Sequence, residues 1–178
     1  MNKDLIYLQI AESISVLSGC TRTRIGCIIV RDDKILSYGF NGGILKACTY
    51  ESCYRTKLKS NNAENEGYCV GNHAELRALK IDKNLTNATL YCNVQPCNMC
   101  TRNLIDAGIK RVVYNMEYHD ETNDKLLKDY NIESIQIKEK INPDEIVKQL
   151  SKLDQPEQEY INNNLQQLLK QRKFNYEK

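Results

Sequence analysis

The sequence predicts an α/β layered domain, and three observations predict it. Short apolar, β-branched runs alternate with helical segments. Turn and cap residues punctuate the joints between them. The length of 178 residues suits one domain with a short appendage and is enough to bury a hydrophobic core.

The elements follow in order. Ile6, Ile10, Ile14 and Leu17 recur at helical spacing, which predicts an amphipathic helix over Leu5 to Leu17, with Asp4 as N-cap and Gly19 as its stop. Ile25 to Val30 reads as a buried strand, Asp32-Asp33 as a turn, and Lys34 to Phe40 as the returning strand. Asn41-Gly42-Gly43 breaks that strand. Residues 44–72 form a long irregular stretch, and loops of that length inside a domain are usually functional or externally stapled. His73 to Lys80 reads as a short helix capped by Asn72, and Thr89 to Cys92 as a strand. Pro96 opens a helix through Ala107 that Gly108 closes. Arg111 to Tyr114 is a strand, Asn123 to Asp129 a helix, and Ile132 to Ile137 a strand. The expected domain spans 1–140. Residues 141–178 read as a C-terminal helical extension, with helices from Pro143 to about Leu153 and from Glu157 to Lys173.

Composition narrows the function classes. Hydrophobic residues at 41% and charged residues at 27% are ordinary for a folded protein and argue against wholesale disorder. A formal charge of +2 is too balanced for a nucleic-acid binder that works by electrostatics. No apolar run is long enough for a membrane span. The start, Met1-Asn2-Lys3-Asp4-Leu5, lacks the apolar core of a secretory leader, so a cytoplasmic location is expected. Eight cysteines in such a chain point to metal ligation, catalysis or buried thiols rather than to disulfides.

The chemistry centres on His73-Ala74-Glu75 and, 24 positions after His73, Cys97 within Pro96-Cys97-Asn98-Met99-Cys100. One histidine and two cysteines make a three-ligand zinc set, which leaves the fourth tetrahedral position for water, as catalytic sites do. Cys97 and Cys100 stand at i and i+3 on a helix start, within reach of one ion, and the helix N-terminus favours their thiolates. Two thiolates and a neutral imidazole balance the charge of the ion, which brings a bound water's pKa to roughly 7. Glu75 is the proton carrier of this arrangement. In mid-helix His73 and Glu75 would point about 200° apart, so they share a site only off the helix's N-terminal end. A structural zinc knuckle or a chance C-x-x-C is the plainer alternative, and a structural zinc has no use for Glu75.

The H-x-E and P-C-x-x-C pair is the signature of zinc-dependent nucleobase deaminases. From about Ile6 to Ile137 the chain resembles the deoxycytidylate (dCMP) deaminases of the cytidine-deaminase-like superfamily, nearest to the bacterial branch with competence-associated members. The resemblance is carried by Cys20-Thr21-Arg22, Ile25 to Asp32, Gly39-Phe40-Asn41-Gly42, Cys48 to Cys53 and Cys69 to Ala78. Leu90-Tyr91, the Pro96 to Cys100 motif, Asp106 to Lys110 and Glu117-Tyr118-His119-Asp120 complete it. It implies a three-layer α/β/α fold around a mixed sheet of about five strands. It implies zinc at His73, Cys97 and Cys100, Glu75 as proton shuttle, and hydrolysis of dCMP to dUMP and ammonia, supplying thymidylate synthesis. It also implies a sugar contact from Asn41, whose alternative is a plain turn residue. Arg22 is the candidate for the 5′-phosphate and Tyr118 a further substrate contact, with a surface arginine and loop packing as the respective alternatives. Some relatives carry a second, structural zinc, for which Cys20, Cys48, Cys53 and Cys69 would be the ligands; reduced buried thiols are the alternative. Cys27 and Cys92 lie in predicted strands and read as core. Relatives are often hexamers activated by dCTP and inhibited by dTTP. Two residues depart from the common pattern: Arg77, where asparagine is frequent, which bears on allosteric or subunit contacts, and Gln95 ahead of Pro96. The competing functions are a deaminase of tRNA adenosine or another polynucleotide base, which wants a basic footprint, and a non-catalytic zinc-stabilised interaction module.

Overall fold

The computed structural model describes residues 3–43, 48–59, 69–81, 84–118 and 121–138. The C-terminal extension expected over 141–178 lies outside the described residues, as do His119 and Asp120. Helix α1 (Lys3–Ser15) is followed by β1 (Gly26–Arg31), β2 (Lys34–Phe40) and the two-residue β3 (Gly42–Gly43). Then come α2 (Tyr54–Lys57), β4 (Gly71–Asn72) and α3 (Ala74–Ala78). The chain continues with β5 (Thr89–Val94), α4 (Asn98–Asp106), β6 (Arg111–Met116), α5 (Glu121–Asp129) and β7 (Glu133–Gln136). None of the described helices is long and apolar enough to cross a membrane.

Five strands form one mixed sheet in the order β2-β1-β5-β6-β7. The first two pairings are antiparallel and the last two parallel. This is the mixed sheet implied by the resemblance. The β1–β2 hairpin closes on Asp32 and Asp33, at φ 51° and 58°. Two consecutive left-handed residues match the right-handed twist of the strands they join, and aspartate tolerates that conformation. The parallel pairs are joined through α4 and α5, as parallel connections require.

Two glycines place the helices on opposite faces. A Cβ on Gly26 would overlap the Ala11 carbonyl and the Ser15 amide of α1. A Cβ on Gly39 would overlap the Ala74 carbonyl of α3 and lie 2.7 Å from the Ala78 nitrogen. Gly39 pairs with Cys27, the neighbour of Gly26, and successive strand residues face opposite sides. Helix α1 therefore covers one face and α3 the other, giving three layers. The core on the α3 side gathers Cys27, Ile29, Leu90, Cys92, Val112, Ala74, Leu104 and Leu127. Cys27 and Cys92, expected as core, are fully buried and face one another across β1 and β5.

Several boundaries differ from those read in the sequence. Asp4 lies inside α1, because its carboxylate pairs with Arg111 of β6 at 2.6 and 2.7 Å instead of capping the helix. The cap of α3 is His73, not Asn72, and α4 begins at Asn98 with Cys97 as its cap, two residues after the Pro96 expected to open it. Asn72 is instead drawn into a ladder with Gly42. Gly108, at φ 80°, closes α4 as expected.

Candidate active site

The ends of three elements meet at one cleft. His73 caps α3, Cys97 caps α4 at the exit of β5, and Asn41 follows β2. As a cap, His73 has extended backbone (φ −74°, ψ 151°) outside the helical turn, and it lines the same cleft as Glu75, the second residue of α3. That resolves the angular problem of an i, i+2 pair. The tight seat of α3 on Gly39 holds this end of the helix against the sheet.

His73 Nδ1 lies 3.5 Å from Cys97 Sγ and 3.3 Å from Cys100 Sγ. Ligand atoms of the three residues all fall within 4.8 Å of one another. Zinc bonds of about 2.3 Å to sulfur and about 2.05 Å to nitrogen, opened to the tetrahedral angle, separate the two atoms by about 3.6 Å. The donor set therefore fits a zinc ion in both chemistry and spacing. Cys97 is held as thiolate at a pKa of about 4, chiefly by a hydrogen bond from the Cys100 thiol, with the His73 ring and the Cys100 amide adding to it. The same hydrogen bond, with burial, pushes Cys100 up.

Glu75 is 3% exposed. Burial raises its carboxyl to about 7, against its own backbone amide, which lowers it; the Cys97 charge adds to the rise. A carboxyl in that range can both accept and return a proton near neutrality.

The cleft beside this group is also lined by Asn41, Arg22 and Tyr118. Asn41 Oδ1 accepts from Ser18 Oγ at 2.6 Å and from the Ile25 amide at 2.9 Å, and Nδ2 donates to the Thr23 carbonyl at 2.8 Å. It is thus a turn-fixing residue and a cleft residue at once. Tyr118 is placed through its amide, which donates to Gln95 Oε1 at 3.1 Å.

Cys20, Cys48, Cys53 and Cys69 line the same cleft. Cys48 is tied to the Gly19 carbonyl, and burial raises its thiol, with the other three cysteines adding to the rise. Cys53 runs the other way: burial raises it, but the Thr56 hydroxyl and amide, the Arg55 amide and nearby Arg22 outweigh burial. The four gather around one opening, yet among the described residues only His73, Cys97 and Cys100 bring three donors within 4.8 Å of one another.

The guanidinium of Arg77 donates to the carbonyls of Phe40, Gly42 and Gly43 at 2.7–3.0 Å and lies over the Phe40 ring. This departure from the common pattern thus braces the strand end that carries Asn41. Asn93, not singled out in the sequence, is 1% exposed and joins the Gly26 amide to the Arg24 carbonyl. A polar residue in an apolar strand was its only signal.

Similar proteins agree with this geometry. The deoxycytidylate deaminase of Saccharomyces cerevisiae is 34% identical over 135 residues, 72% of this chain and 43% of the relative. The deoxycytidylate deaminase of Mycobacterium phage D29 is 32% identical over 121 residues, 64% of this chain and 94% of the relative. The chain thus spans less than half of the yeast protein and nearly all of the phage one. A crystal structure of the dCMP deaminase of cyanophage S-TIM5 with dCMP and dUMP superposes with a TM-score of 0.60 at 28% identity. That match covers 74% of this chain and 94% of the phage chain. Residues 1–155 match the MafB19-like deaminases, and the chain belongs to that family.

Proposed function

We propose that this chain is a hydrolytic deaminase that converts dCMP to dUMP and ammonia. The observation that carries the reading is a buried carboxyl, Glu75, with a pKa of about 7, beside a zinc-spaced His73, Cys97 and Cys100 set in an open cleft. The likeness to phage dCMP deaminases that are matched over 94% of their length, one of them solved with dCMP and dUMP, supports the choice of substrate.

His73, Cys97 and Cys100 would hold a zinc ion, which when bound would supply activated water for attack at C4 of cytosine. Glu75 would accept a proton from the attacking water and deliver it to N3 of the ring. It would then carry the proton of the hydroxyl now on C4 to the exocyclic amine as the C4–N bond breaks, so that ammonia leaves and C4 becomes a carbonyl. Burial suits the carboxyl to this duty, because neither protonation state is strongly preferred near neutral pH. Asn41 gives a sugar hydroxyl its second Nδ2 hydrogen, a role supported by its place in the cleft. Arg22 takes the 5′-phosphate and Tyr118 borders the bound nucleotide, both supported by their place in the cleft.

In this reading residues 1–140 are the deaminase domain and 141–178 an extension. Cys20, Cys48, Cys53 and Cys69 hold a second, structural zinc, supported by their convergence on one opening. The resemblance further supports a cytoplasmic homo-oligomer, hexameric, that responds to dCTP and dTTP and supplies dUMP for thymidylate synthesis.

The test is incubation of zinc-loaded protein with dCMP, cytidine and dCTP while cytosine absorbance and ammonia are followed. Loss of cytosine with dCMP, matched by ammonia, is expected. Zinc-loaded protein that leaves dCMP intact contradicts the reading. Elemental analysis giving two zinc ions per chain, reduced to one by Cys53→Ser, is expected for the second site; one ion in both samples removes it.

A further inference from the structure

Gln95 stands between the last residue of β5 and the Pro96-Cys97 turn, is 3% exposed and lines the cleft. Its backbone amide donates to the Met116 carbonyl at 2.8 Å. Its side chain bridges two elements that do not otherwise share a strand: Nε2 donates to Asp124 Oδ1 of α5 at 2.7 Å, and Oε1 accepts the Tyr118 amide at 3.1 Å. The α5 start is itself fastened to the same turn, since Asn123 Nδ2 donates to the Pro96 carbonyl at 2.9 Å and Asn98 Nδ2 donates to Thr122 Oγ1 at 3.1 Å.

The chemistry of the two partners dictates the residue type. A carboxylate only accepts and a backbone amide only donates, so the side chain between them must donate at one atom and accept at another. A carboxamide does both across one planar group, and asparagine is one methylene too short. A glutamate would turn a second carboxylate toward Asp124, and an aliphatic chain would strand the Tyr118 amide.

We propose that Gln95 is a positioning residue for the substrate: its carboxamide holds the Glu117–Tyr118 segment against the cleft and so sets affinity for the nucleotide rather than the rate of chemistry at the ring. This rests on the deaminase reading above. The side-chain hydrogen bonds of Gln95 run to Asp124 and Tyr118, and it acts through the placement of Tyr118.

Gln95→Met keeps the length of the side chain and removes both hydrogen bonds. With the Gln95 acceptor gone, the Tyr118 amide is expected to exchange with solvent about tenfold faster, a readout that needs no substrate. KM for dCMP is expected to rise about tenfold and kcat to stay within about threefold, because the lost interaction is one of binding. Zinc content is expected to be unchanged. Gln95→Glu alone is expected to be impaired at pH 8 by the facing carboxylates. Adding Asp124→Asn restores it, since the new asparagine donates to the glutamate while the glutamate accepts from Tyr118. A merely structural or size-dependent role does not produce that rescue.

A Gln95→Met enzyme with the wild-type KM overturns the role of Gln95, and so does a double variant no better than Gln95→Glu. Zinc-loaded wild-type protein inert toward dCMP instead overturns the deaminase reading.

Discussion

Glu75→Gln should separate function from stability, with opposite signs. Glu75 is buried and its carboxyl sits at about 7 in the metal-free chain, against an ordinary value of 4.5. A raised carboxyl means that the folded state binds more protons than the unfolded state between those two values, so folding stability falls as pH rises through that window. The difference of roughly 2.5 pKa units corresponds to about 3 kcal/mol lost by the time pH 8 is reached. Glutamine keeps the shape of the neutral acid and has no charge to desolvate. Metal-free Glu75→Gln should therefore be about 3 kcal/mol more stable than metal-free wild type at pH 8, and equal to it below about pH 4.5. The assay is urea unfolding of both chelator-treated proteins at pH 4, 6 and 8, with dCMP turnover measured on the zinc-loaded forms. Turnover should be abolished while zinc content stays constant. A variant no more stable than wild type at pH 8, or a gap that ignores pH, refutes the claim that burial sets the Glu75 proton affinity.

Three further outcomes follow from the packing. Gly39→Ala should cost about 3 kcal/mol and weaken zinc binding, because the new Cβ drives α3 and its cap His73 off the sheet; wild-type unfolding with wild-type zinc affinity in a competition assay would contradict this. Arg111→Met should cost about 2 kcal/mol, since it takes the guanidinium away from the Asp4 carboxylate, only 22% exposed, to which the Tyr91 hydroxyl still donates. The exposed Glu133 adds little to that cost. Hydrogen bonding from Arg111 holds Asp4 below 3.8, so its stabilisation is complete above that pH and is lost as pH falls through the lowered value. The gap between wild type and Arg111→Met in urea should accordingly close on acidification below pH 3.8; a gap that persists would show that the loss is one of packing.

The chemistry was legible in the sequence because its spacing is short. His73 to Glu75 and Cys97 to Cys100 are each confined to one helix start, where local geometry alone decides what the side chains can share. The α/β layering followed from alternation and from turn residues such as Asp32-Asp33 and Gly108, whereas the mixed sheet of about five strands was implied by the family resemblance. What stayed hidden depends on partners distant in the chain. Strands β5 and β6 run on to Val94 and Met116, past the apolar signal, because Asn93 and Asn115 satisfy their amides on Arg24, Gly26 and Ile137. Helix α5 starts before its apolar residues because Asn123 is buried against Pro96. The Gly42–Gly43 ladder with Gly71–Asn72 has no local signature, since its strands are joined across the long irregular stretch. Gln95 stood out in the sequence only as a departure, and its partners Tyr118 and Asp124 give it meaning.

Zinc per chain, measured by elemental analysis on the same samples whose dCMP turnover is recorded, bears most directly on the central claim. In wild type partly stripped by chelator and then refilled, dUMP formation should rise in proportion to bound zinc, and Cys100→Ser should lose both together. Full turnover in a zinc-free sample, or Cys100→Ser with undiminished zinc and activity, would contradict it.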